Sequence, residues 1–75
     1  MRYHFHIRDA EGLIPDEEGS ELASLEAARA EARASAQDLV ANDLRGGRTT
    51  PERRIEIADA RGAVLDFIRI AVIVN

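Results

Sequence analysis

A chain of 75 residues with a formal net charge of −4 and no cysteine makes one small domain, 1–75, and excludes a disulfide framework and a thiolate site. The excess of acid argues against non-specific nucleic-acid binding. No run approaches the ~18 apolar residues of a membrane span, and MRYHFHIRDAEG carries charge where a secretory leader needs an apolar stretch, so a cytoplasmic protein is expected.

Tyr3, Phe5 and Ile7 alternate with His4, His6 and Arg8, the period-2 pattern of a strand with one buried face. Asp9-Ala10-Glu11-Gly12 has the residues of a tight turn, and the chain should reverse into a short strand, Leu13-Ile14, which Pro15 limits and confines to an edge. His4 and His6, at i and i+2 on one side of the first strand, have a spacing that can chelate a metal, with the acidic loop as a source of carboxylate. Imidazoles alternating with inward aromatics are more often solvent-facing, so no metal and no cofactor is assigned. The carboxylates of Asp16, Glu17, Glu18 and Glu21 lack the ligand spacing of a calcium loop and read as a solvated approach to a helix.

That helix spans Ser24 to Arg45, with Ser24 as cap, Glu26 in the first turn, Arg45 in the last, and Gly46-Gly47 as the stop. Alanine occupies eight of the positions between 23 and 41, all of them favourable to helix. At 100° per residue, Leu25, Ala28, Ala32, Ala36, Leu39 and Val40 share one side. A stripe so rich in alanine suits close packing on a sheet. Arg29 lies at the edge of the stripe and reads either as a stem on the sheet with its guanidinium in water or as an inward anion contact. Asp43 falls near the stripe's centre.

Gly46 to Glu52 forms a loop around which Arg45, Arg48, Arg53 and Arg54 gather, the candidate anion-binding cluster. Arg54 to Ile57 alternates as a third strand. Asp59-Ala60-Arg61-Gly62 repeats the turn chemistry of Asp9 to Gly12, and Ala63 to Val74 continues as a fourth strand without a turn signal. Its apolar end reads as a central strand, as a strand bent over the helix, or as an overhang that pairs with another copy through Ile70, Val72, Ile73 and Val74.

The expected fold is α+β, ββαββ, a four-stranded antiparallel sheet with one long helix packed on one face. Inward positions are Tyr3, Phe5, Ile7, Ile55, Ile57, Leu65 and Phe67 from the sheet and Leu25, Ala28, Ala32, Leu39 and Val40 from the helix. The strings RYHFHIRDAEGLIPDEEG, SLEAARAEA and RRIEIADARGAVL, above all Tyr-x-Phe-x-Ile-Arg-Asp followed by Asp-Glu-Glu-Gly, resemble a family of short bacterial proteins catalogued as a domain of unknown function. The resemblance runs from Arg2 to about Arg69. It implies a small α+β domain and brings no assigned activity.

Ser20, Ser24 and Ser35 are the only serines and none has a catalytic setting, so a non-enzymatic protein is expected. The first expectation is an interaction module that self-associates through its last strand or binds an unidentified protein partner. The alternative is a nucleic-acid-linked regulator or antitoxin-like partner using the arginine cluster, against which the net charge weighs.

Overall fold

The alternation of Tyr3, Phe5 and Ile7 with His4, His6 and Arg8 becomes strand β1, Arg2–Asp9, and every other strand is placed by reference to it. The computed structural model describes residues 1–47 and 52–70. Along these run β2 (Gly12–Ile14), β3 (Ser20–Glu21), helix α1 (Leu25–Arg45), β4 (Arg53–Ala58) and β5 (Val64–Ile70). The sheet has the order β2-β1-β4-β5, with the two-residue β3 also pairing β1, and all pairings are antiparallel. Fold class and element order are as the sequence predicts, with β3 as one additional strand in what reads as an acidic connection.

Turn chemistry sets the hairpins. Asp9 Oδ1 accepts the N–H groups of Glu11 and Gly12, and Asp59 Oδ1 accepts those of Arg61 and Ala63, so the repeated Asp-Ala-x-Gly does the same work twice. On the far edge of β1, β2 pairs Ile7 to Asp9 and β3 pairs Arg2 and Tyr3. The gap between them leaves the Phe5 N–H without a ladder partner. Asp16 fills it: Oδ2 accepts from Phe5 N at 3.0 Å and Oδ1 from Gly19 N at 3.2 Å. Burial works to raise the Asp16 carboxyl, but these two N–H bonds, together with the nearby imidazoles of His4 and His6, outweigh it and hold it below its ordinary value.

Helix α1 begins at Ser24, whose hydroxyl oxygen accepts the Ala27 N–H at 3.1 Å. Ala28 and Ala32 are fully buried, and with Tyr3, Ile55, Ile57 and Ile70 they form the core, flanked by Phe5, Ile7, Leu22, Leu25, Ala36, Leu39, Val40 and Ile68. Methyl side chains let the axis approach closely while the isoleucines of β4 fill the space. Both polar residues of the helix stripe are answered from the sheet. Arg29 Nε meets Asp66 Oδ2 at 2.6 Å, the inward anion contact, and Asp43 Oδ2 meets Arg53 Nη2 at 2.6 Å.

The last strand corrects the sequence reading in two ways. Leu65 and Phe67, expected inside, are 40% and 49% exposed. Ile68 lies opposite Ile55 and Ile70 opposite Arg53, so Asp66, Ile68 and Ile70 face α1 and Phe67 faces away. Both parities of this strand are apolar, and a register irregularity at Ile57 and Ala58 shifts Leu65 out of phase. Nor is β5 central: among the described residues it pairs with β4 alone.

Candidate functional site

One helix covers one face of the sheet, and the period-2 rule then assigns the other. Cross-strand partners share a face. Arg8 lies opposite Arg54, Arg54 opposite Arg69, His6 opposite Glu56, Glu56 opposite Phe67, and Leu13 opposite Arg8. The uncovered face therefore carries three arginines, one glutamate, two histidines, a phenylalanine and a leucine.

At its centre is Glu56, 6% exposed. Its Oε2 accepts from Arg8 Nε at 2.9 Å and lies 3.1 Å from Arg54 Nε. The Arg8 hydrogen bond, joined by the positive charges of both guanidiniums, holds the Glu56 carboxyl below its ordinary value against the opposing effect of burial. The Arg54 guanidinium sits 5.3 Å from the Phe67 ring centroid, a cation–π contact. Arg69 pairs with Glu52 through Nε at 2.9 Å and through Nη2. Between these groups is a shallow hollow of about 400 Å³, lined by Arg8, Asp9, Glu52, Arg53, Arg54, Phe67 and Arg69.

At the other end of the face the rings of His4 and His6 stack with centroids 6.0 Å apart and planes at 20°. Both are tied to the backbone of one residue. The Asp16 carbonyl accepts from His4 Nδ1 at 2.7 Å, and the Asp16 N–H donates to His6 Nδ1 at 2.9 Å. A carbonyl only accepts and an N–H only donates, so His4 carries its proton on Nδ1 and His6 has a bare Nδ1. The pair thus fastens the loop after Pro15 to β1. Among the described residues no group of three or more His, Asp or Glu is placed to hold a metal ion.

A family model described as Domain of unknown function (DUF6894) matches residues 2–71. The chain belongs to that family. No curated protein and no solved structure matches it. Among the described residues no helix is long and apolar enough to cross a membrane.

Within this DUF6894 fold the arginines that the sequence groups are separated. Arg53 and Arg54 are adjacent on β4 and so point to opposite faces, Arg53 to Asp43 under the helix and Arg54 to the open face. Arg45 is exposed in the last helical turn, and Arg48 lies outside the described residues. Arg54 gathers instead with Arg8 and Arg69, neither of which belongs to the anion-binding cluster expected from the sequence. The alternation of β1 shows which way Arg8 points. Only the strand order, which sets β1, β4 and β5 side by side, brings the three together. Of the apolar residues assigned to an interface, Ile70 is 2% exposed in the core, while Val72, Ile73 and Val74 lie outside the described residues.

Proposed function

We propose that the chain is a small, non-enzymatic interaction module of the cytoplasm that self-associates, β5 of one copy pairing with β5 of a second. The observation that carries this is the asymmetry of the two sheet edges. The β2 edge is three residues long and ends at Pro15, whereas β5 offers seven residues paired on one side among those described. Val64, Leu65 and Phe67 along it are exposed, apolar area that a partner strand would cover. The Phe67 N–H is bonded to Asp66 Oδ1 at 2.8 Å, so pairing exchanges that one local bond for ladder bonds.

Light scattering at two concentrations tests the proposal. The full chain is expected to be a salt-insensitive dimer, and Leu65→Lys and Phe67→Lys, both at exposed positions, are expected to yield folded monomers. A full chain that stays monomeric at tens of micromolar overturns the proposal, and so does a dimer indifferent to both lysines. The nucleic-acid-linked alternative has less geometric support, since Arg53 and Arg54 face apart.

A further inference from the structure

The hollow on the open face suggests a ligand site beside the β5 pairing edge, with Phe67 bordering both. We infer that it binds a small organic oxyanion, a carboxylate or phosphate ester with an apolar body. Arg8 and Arg54 hold the anion, and Phe67 contacts the apolar part.

Arg8 and Arg54 are direct cross-strand partners, an arrangement of like charges that destabilises a sheet unless something answers it. Glu56 answers it only in part: one carboxylate stands against two guanidiniums, which leaves one positive charge over. Both arginines approach Glu56 through Nε. Among the described residues neither makes a hydrogen bond through its Nη atoms, so the paired N–H edges suited to fork-like binding of an oxyanion are unspent.

Because Glu56 is buried, it holds both guanidiniums in place before a ligand arrives, which lowers the ordering cost of binding. Of the other carboxylates lining the hollow, Glu52 is paired with Arg69, while Asp9 keeps its charge but has Oδ1 occupied by the Glu11 and Gly12 N–H groups. A hollow of about 400 Å³ falls in the range of small-molecule sites. The half-exposed Phe67 supplies apolar area beside the charge. The chain's net charge of −4 disfavours a polyanion, so a single small oxyanion fits better than a nucleic-acid backbone.

The test is a titration of the full chain with benzoate, phenyl phosphate and, as the neutral control, benzyl alcohol, read by amide and arginine Nε–H nuclear magnetic resonance. Saturable shifts are expected for one or both anions at Arg8, Arg54, Glu56 and Phe67, with none from benzyl alcohol. Arg54→Gln should weaken binding by about tenfold or more, and the triple variant R8Q/R54Q/E56Q, which neutralises the two arginines together with the buried glutamate between them, should abolish it while keeping the folded spectrum. Shifts spread evenly over unrelated arginines such as Arg33 and Arg61 would overturn the inference, as would unaltered affinity in the triple variant or no saturable shift from either anion.

Discussion

Replacing Asp43 with alanine removes one half of an ion pair that ties the end of α1 to β4. Its side chain and that of Arg53 are 13% and 14% exposed, with the charged atoms 2.6 Å apart. Removing one member of a buried pair costs about 3–5 kcal/mol because the other charge stays buried. Discounted for the residual exposure, about 2–4 kcal/mol is expected here. A chain of 75 residues has a total stability of roughly 4–11 kcal/mol at 0.05–0.15 kcal/mol per residue. A loss of about 3 kcal/mol should lower Tm by about 12–24 °C in a domain this small. Thermal and urea unfolding followed by far-ultraviolet circular dichroism measures it. The double variant D43L/R53L should recover most of the loss, since Arg53 Nε is buried without a hydrogen-bond partner among the described residues and an apolar pair removes that desolvation cost. An Asp43→Ala chain whose Tm moves by less than about 3 °C, or a double variant no more stable than the single ones, would refute the reasoning.

Three further outcomes are expected. Gly19→Ala should destabilise more than Gly62→Ala although both positions have positive φ, because a Cβ at 19 would lie 2.8 Å from the Tyr3 carbonyl oxygen while one at 62 meets nothing within 4 Å; equal losses in urea titration would contradict this. Phe67→Ser should change stability by less than about 1 kcal/mol, whereas Ile57→Ala, at a fully buried position, should cost about 2–5 kcal/mol; the reverse order would place Phe67 in the core. The Glu56 carboxyl is depressed in the fold, so its contribution is complete above its ordinary value of 4.5 and is lost as pH falls through the lower folded value. Acid unfolding monitored from pH 7 downward should steepen below about pH 4.5, and less so in Glu56→Gln.

The first strand, both Asp-x-x-Gly turns and the helix with its Ser24 cap were legible in the sequence because each is a local choice of backbone. Periodicity and turn residues state such choices without reference to the rest of the chain. The face of β5 was not legible. Leu65 and Phe67 compete with Ile68 and Ile70 for the inside, and Asp66 is a poor core residue until Arg29 is across from it. A one-residue shift exchanges the two faces of a strand, and the fold takes the face that buries Ile70 in the core and sets Asp66 against Arg29, 37 residues away in sequence.

The candidate site follows the same division. The sequence by itself determined that Arg8 and Arg54 stand on strands, each opposite in direction to its apolar neighbours. It grouped Arg45, Arg48, Arg53 and Arg54 by nearness along the chain, and a strand sends adjacent side chains to opposite faces. Only the order β2-β1-β4-β5 set Arg8, Arg54 and Arg69 side by side around Glu56, and buried Arg53 against Asp43. Strand order is fixed by which apolar faces pack together across the whole molecule, an energy shared among distant residues.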